Sequence, residues 1–68
     1  MMTVDEMIRQ KNKLGLTYAQ IASLSGIPVG TVQKVLGKIT ASPRYDTLLA
    51  LEKVLKPEYD TNILRDHR

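Results

Sequence analysis

The first third of the chain places apolar and polar residues with the period of an α-helix. Helical spacing links Val4, Met7, Ile8, Lys11 and Leu14, so one face of the predicted helix is largely apolar. Thr3, followed three positions later by Glu6, is typical of a capping box at a helix start. Gly15 comes directly after the last apolar position. The pattern therefore predicts a helix that starts at Thr3 and stops at Gly15.

Two shorter apolar patterns follow. Thr17 and Gln20 repeat the capping-box spacing, and Gly26 ends this second pattern after about two turns. Its apolar members are Ala19, Ile21, Ala22 and Leu24. Pro28 has no amide hydrogen and is tolerated only at a helix start, so a third helix should begin there and end before Gly37. That helix should bury Val32, Val35 and Leu36.

The joint between the second and third helices is only three or four residues long. Gly26 can adopt a positive φ angle there and let the chain turn sharply. Two helices joined in this way are expected to meet at a steep angle. The spacing therefore predicts a helix-turn-helix at the centre of the chain.

The last third predicts one further helix and a tail. Residues 38–44 contain Thr, Ser and Pro without periodicity, which indicates a loop. The apolar positions of a fourth helix follow, ending at the Lys56-Pro57 pair; they are Leu48, Leu51, Val54 and Leu55. We expect an all-α domain over residues 1–56, a compact bundle of four to five helices, and a tail or short fifth helix over residues 57–68.

The composition limits the classes of function. A chain of 68 residues has room for one small core and one domain. It has no cysteine and a single histidine, His67, so neither a disulfide framework nor a zinc cluster is expected. No apolar run approaches the roughly 20 residues of a membrane span, and no arrangement of nucleophile and base is present. We expect a cytoplasmic protein that is not an enzyme and uses no metal or cofactor.

The charge is unevenly distributed along the chain, whose formal net charge is +3. From Met7 to Tyr45 every charged residue is basic; these are Arg9, Lys11, Lys13, Lys34, Lys38 and Arg44. All 7 acidic residues lie before or after that stretch. One face that binds a polyanion would give such a split, and a chance excess of basic residues on a helical surface would give the same split.

The central patterns also carry a family resemblance. The residues that carry it are Leu16-Thr17-Tyr18-Ala19-Gln20-Ile21-Ala22, Gly26-Ile27, Thr31-Val32 and Val35, and later Ser42-Pro43-Arg44-Tyr45-Asp46-Thr47-Leu48 with Leu51. Together they resemble the Cro and lambda-repressor (XRE-type) family of helix-turn-helix domains, over roughly Val4 to Leu55. The resemblance implies a lambda-repressor-like fold and a repressor-like transcriptional regulator that binds double-stranded DNA.

The resemblance also implies roles for single residues. It makes Ala22 the small residue where the second and third helices cross, and it places Ile21, Ile27, Val32 and Val35 in the core. The helix over residues 28–36 would lie in the major groove and read bases with Val29, Gly30, Gln33 and Lys34. Gln33 can bond adenine, Lys34 guanine, and Val29 can contact a thymine methyl group. The other interpretation makes Gln33 and Lys34 ordinary solvated residues.

Phosphate contacts are implied for five residues, namely Thr17, Tyr18, Thr31, Lys38 and Arg44. The alternative for Lys38 and Arg44 is that they are solvated loop charges. The chain departs from the family where Pro28 replaces a serine or threonine cap and Tyr18 replaces a glutamine. Because Pro28 removes a side-chain cap and the exposed pair Val29-Gly30 is a poor sequence reader, we expect weaker or less specific base recognition than in dedicated repressors. Tyr45, beside Leu48 and Leu49, is expected to pack in the core or at its edge, and the alternative is a DNA contact.

Oligomeric state and context leave several alternatives open. One recognition helix covers only a few base pairs, so a homodimer on half-sites about 34 Å apart is expected, with Tyr59, Ile63 and Leu64 as the self-association patch. Those three residues would otherwise complete the core. The alternatives to a regulator are a protein-binding adaptor module and a DNA-targeting domain cut from a longer chain, for example one fused to a nuclease or peptidase.

Overall fold

Four helices form the described part of the protein. The computed structural model describes residues 1–57, and in them α1 is Val4–Leu14, α2 is Tyr18–Ser25, α3 is Val29–Leu36 and α4 is Tyr45–Leu55, with no strand. The all-α prediction is confirmed for this part of the chain. The predicted short fifth helix and the patch of Tyr59, Ile63 and Leu64 lie outside the described residues.

Capping boxes start α1 and α2, as their sequence spacing predicts. At α1 the Glu6 amide donates to Thr3 Oγ1 at 3.1 Å, and the Thr3 amide donates to Glu6 Oε1 at 2.7 Å. At α2 the Gln20 amide donates to Thr17 Oγ1 at 3.0 Å, and the Thr17 amide donates to Gln20 Oε1 at 2.8 Å. Each box satisfies two backbone amides that no helical carbonyl can reach.

The turn between α2 and α3 consists of Gly26, Ile27 and Pro28. Gly26 has φ 78°, the left-handed conformation expected of it, and its amide donates to the Ala22 carbonyl at 2.9 Å. The Ile27 amide donates to Ser25 Oγ at 3.2 Å. Pro28 then precedes the first residue of α3, and it supplies no side-chain cap. The predicted helix start at Pro28 and the short joint are confirmed.

The C-terminal end of α1 is a Schellman motif. Gly15 has φ 70° and its amide donates to the Asn12 carbonyl at 3.2 Å. The next amide, of Leu16, donates to the Lys11 carbonyl at 3.1 Å. The left-handed residue of such a motif is usually glycine, because a Cβ is disfavoured there.

The C-terminal end of α3 has the same pair of hydrogen bonds with a different residue at the left-handed position. The Lys38 amide donates to the Val35 carbonyl at 3.1 Å, and the Ile39 amide donates to the Lys34 carbonyl at 2.8 Å. The residue with positive φ is Lys38, at 60°, whereas Gly37 has φ −86°. The helix ends before Gly37 as predicted, but the lysine adopts the strained conformation.

The core takes side chains from all four helices. Its buried apolar members are Met7, Ile21, Val32, Val35, Leu36, Leu51 and Leu55. Ala22 and Ile27 are half-buried and pack against this cluster. Ile21, Val32 and Val35 are therefore core residues, as expected, while Ile27 lies at the core edge.

One aspect of the expected packing is wrong. Tyr45 is 69% exposed and does not pack at the core edge. In α4 the buried side is formed by Thr47, Leu51 and Leu55, four positions apart. Since each position turns the helix by about 100°, Tyr45 lies about 200° from Thr47 and faces away from the core.

Candidate nucleic-acid interface

Helix α3 has one buried side and one exposed side. Consecutive positions turn by about 100°, so the residues one, four and five positions after Val29 lie with it within one arc of about 140°. The exposed residues are Val29, Gly30, Gln33 and Lys34, and the buried ones are Val32, Val35 and Leu36. The structure thus places all four of the predicted base-reading positions on the surface and brings them together on one side.

The N-terminal end of α3 is open. The amides of Thr31 and Val32 donate to the Pro28 carbonyl at 2.9 and 3.1 Å, and Pro28 has no side-chain acceptor to offer. The amides of Val29 and Gly30 precede the first hydrogen bonds of the helix. Oriented amides at a helix start attract anions. Thr31, a predicted phosphate contact, is half-buried at the boundary between the two sides.

The start of α2 combines a cap with a cation. The capping box occupies the Gln20 amide, while the amides of Tyr18 and Ala19 precede the helical hydrogen bonds. Lys11 Nζ of α1 lies 4.8 Å from the centroid of the half-buried Tyr18 ring, a cation–π contact. The structure therefore brings Lys11 next to Thr17 and Tyr18, the two phosphate-contact residues predicted at this helix start.

Lys38 contacts an acid from the start of α1. Its ammonium group forms an ion pair with Asp5, and Lys38 lines an open groove together with Val4, Val35 and Pro43. The hydrogen bond and the charge of Lys38 lower the pKa of the Asp5 carboxyl below its ordinary value of 3.8, with a smaller contribution from Arg9. Lys38 is thus neutralised locally, which the sequence does not indicate.

Arg44 also has an acidic neighbour. Its Nε lies 3.4 Å from Asp46 Oδ1, and the same oxygen accepts a hydrogen bond from the Thr47 amide at 2.8 Å. Both side chains of the ion pair are strongly exposed. Within residues 1–57, Lys34 makes no ion pair. The net positive charge of this surface is therefore smaller than the sequence between Met7 and Tyr45 indicates, because Asp5 and Asp46 form ion pairs with Lys38 and Arg44.

Sequence reasoning missed one residue of this surface, Asp5. Asp5 lies 33 positions before Lys38, and no local pattern links them. Tyr45, for which a DNA contact is the alternative expectation, is exposed and follows Arg44 directly in the chain.

Residues 1–57 contain neither a membrane-spanning helix nor a cluster of metal ligands. No helix within residues 1–57 is both long enough and apolar enough to span a membrane. The same part of the chain brings no three His, Asp or Glu side chains together in a way that could hold a metal ion. The single histidine, His67, lies outside these described residues.

Comparisons with known protein families, with curated proteins and with solved structures found no match. The family resemblance and the roles that it implies stay predictions.

Proposed function

We propose that this chain is a lambda-repressor-like helix-turn-helix domain that binds double-stranded DNA and acts as a repressor-like transcriptional regulator. One observation carries the proposal: α3 follows a three-residue turn, packs one side against the core and leaves the other side exposed. A major groove about 12 Å wide admits a helix of this kind.

Base contacts are assigned to the exposed side of α3. Gln33 can donate and accept with the edge of an adenine, and Lys34 can donate to a guanine. Val29 offers an apolar surface for a thymine methyl group. Gly30 has no side chain, and a Cβ built there has nothing within 4 Å. The helix backbone can therefore approach the bases closely at this position.

Phosphate contacts are assigned to the helix starts and the loop after α3. Thr17 and Tyr18, with Lys11 held over the tyrosine ring, surround the start of α2. Thr31 lies in the first turn of α3, and Lys38 and Arg44 belong to the loop on its other end. Phosphate contacts need only donors near the DNA backbone, so they position the domain without reading sequence.

The active form on an operator is proposed to be a homodimer. A single recognition helix reads only a few base pairs, and two domains on half-sites about 34 Å apart gain the affinity that one lacks. Analytical ultracentrifugation with and without a palindromic duplex measures this directly. A monomer at every concentration, bound one to one on the duplex, would contradict it.

A protein-binding adaptor is the second candidate, and exposed apolar side chains favour it. Leu24 is 65% exposed at the end of α2, and Val29 is 44% exposed at the start of α3, on the two sides of the turn. Ile39, in the loop after α3, is 74% exposed. Contiguous exposed apolar surface is typical of protein interaction sites, and Leu24 and Val29 flank the same three-residue turn.

The test is a titration of the ¹⁵N-labelled domain with a random-sequence DNA duplex at two salt concentrations. The chemical shifts of the backbone amides are recorded at each step. We expect shifts at Thr17, Tyr18, residues 29–34, Lys38 and Arg44, and weaker binding at the higher salt concentration. An RNA hairpin of equal length is the matched control for general polyanion binding. The absence of shifts with DNA at low salt would contradict DNA binding and favour the adaptor.

A further inference from the structure

The ion pair of Lys38 and Asp5 joins the end of α3 to the start of α1. Both side chains remain more than half exposed, at 58% and 59%. Either partner can therefore exchange its neighbour for another ion without unfolding the helices. A carboxylate and a DNA phosphate offer the same kind of anionic oxygen to a lysine ammonium.

The backbone holds both partners of this pair in place. Lys38 is the only non-glycine residue with positive φ among residues 1–57, in a position where glycine would cost less. Asp5 lies in the first turn of α1, which the Thr3 cap closes. The Met2 amide also donates to Glu52 Oε2 at 2.9 Å, which ties the segment before α1 to α4.

We propose that Asp5 is an intramolecular competitor of DNA phosphate for Lys38 and thereby lowers the affinity of the domain for every duplex. The inference rests on the proposed function. In the free domain Asp5 neutralises Lys38, so DNA must displace a carboxylate before the ammonium contacts a phosphate. The displaced carboxylate then lies near the DNA backbone and repels it. Because the competition concerns phosphate, it is independent of base sequence.

The experiment compares Asp5→Asn with Glu6→Gln. Both variants raise the net charge by one in the same helical turn, and the glutamine side chain keeps an oxygen to accept from the Thr3 amide. Only Asp5→Asn releases Lys38. In fluorescence anisotropy with a random-sequence duplex, we expect Asp5→Asn to bind about threefold or more tightly than Glu6→Gln. The slope of log affinity against log salt should steepen by up to about 1.

Two further measurements separate competition from a change in folding. In a Lys38→Gln background the extra gain of Asp5→Asn over Glu6→Gln should disappear, because no ammonium is left to release. Asp5→Ser, which removes the charge with a residue that is common at helix starts, should reproduce Asp5→Asn. Circular dichroism of each variant reports whether the helices are retained.

A spectroscopic readout tests the exchange itself. In the free domain Lys38, with Arg9 contributing less, lowers the pKa of the Asp5 carboxyl. If phosphate takes over Lys38, the pKa of Asp5 measured by ¹³C NMR should rise when the duplex is added. The same titration with Lys38→Gln should show a smaller rise, since Asp5 there starts without its partner.

The outcomes distinguish a failure of the proposed DNA binding from a failure of the proposed competition by Asp5. If the wild-type domain and both variants fail to bind any duplex at low salt, the proposed function fails and the inference fails with it. If the domain binds but Asp5→Asn and Glu6→Gln gain equally, binding stands and the competition is overturned. An Asp5 pKa that does not move on DNA binding would also overturn the competition.

Discussion

Gly15 and Lys38 occupy the same structural position, the left-handed residue of a Schellman motif, at the ends of α1 and α3. Their φ angles are 70° and 60°, and in both motifs the following amide reaches back to a carbonyl five residues earlier. Glycine adopts this conformation freely, whereas lysine does so at a cost of about 1–2 kcal/mol. Strained residues of this kind cluster at functional sites. The strain at Lys38 therefore supports the hypothesis that its side chain has a function.

Lys38→Gly should therefore make the domain more stable and less able to bind DNA. Relief of the left-handed strain should exceed the sum of two losses, the greater freedom of glycine in the unfolded chain and the exposed ion pair with Asp5, so the free energy of unfolding should rise by up to about 0.5 kcal/mol. Loss of the ammonium should weaken DNA binding severalfold, on the order of one phosphate contact. Urea denaturation and anisotropy on the same preparation measure both effects.

Gly15→Ala is the matched control for the backbone. A Cβ at Gly15 has nothing within 4 Å, so the conformation alone determines the result. We expect a loss of about 1 kcal/mol. A gain in stability for Gly15→Ala, or a loss for Lys38→Gly, would contradict the equivalence of the two positions.

Gly30→Ala separates helix stability from DNA approach. Gly30 lies within α3 and has open space around it, so alanine should stabilise the helix by about 0.5 kcal/mol. If the α3 backbone packs against bases at this position, the added methyl group should weaken binding by on the order of tenfold, equivalent to about 1.4 kcal/mol. Unchanged affinity in the stabilised variant would mean that DNA does not approach the helix there.

The two capping boxes provide a matched pair of variants. Thr3→Ala and Thr17→Ala each remove a threonine oxygen that accepts from the amide three residues later, so each should lower the free energy of unfolding by about 1 kcal/mol. Only Thr17 is assigned to a phosphate, so only Thr17→Ala should weaken DNA binding at a temperature where both variants are folded. Thr17→Ser should restore both properties. Equal losses of DNA affinity for the two alanine variants would contradict the assignment of Thr17 to a DNA phosphate.

Gln33 and Arg44 should differ in the kind of loss that they cause. Arg44→Ala should weaken binding to all duplexes alike and reduce the salt slope by about 1. Gln33→Ala should change the preference among duplexes more than the mean affinity. Lys53→Ala, which removes an exposed cation of α4 outside the proposed surface, is the control for net charge. Identical behaviour of the Gln33 and Arg44 variants would refute this division of roles.

The change in the stability of the fold at acidic pH should depend on Asp5. Its pKa is lower in the folded domain than its ordinary 3.8, so the ionised carboxylate stabilises the fold above that pH, and the contribution is lost as pH falls through the folded value. At low salt, the difference in Tm between the wild type and Asp5→Asn should narrow as the pH is lowered below 3.8. A difference that stays constant from neutral to strongly acidic pH would show that Lys38 does not stabilise the Asp5 carboxylate.

The candidate site could be predicted in part. The helical period places Gln33 and Lys34 on the side of α3 opposite Val32 and Val35, and the structure has them there. The expected position of Tyr45 is wrong because the buried side of α4 is centred on Thr47 and Leu51, a choice that depends on where α4 meets the other helices.

The sequence by itself determined where the helices start and turn. Thr3 with Glu6, Thr17 with Gln20, and Gly26 act through hydrogen bonds and backbone conformations that span at most four residues, so their spacing encodes them. Only the tertiary structure decided the electrostatics of the surface. Asp5 meets Lys38 because α1 packs beside the end of α3, and an ion pair between residues 33 positions apart depends on that packing rather than on any local pattern.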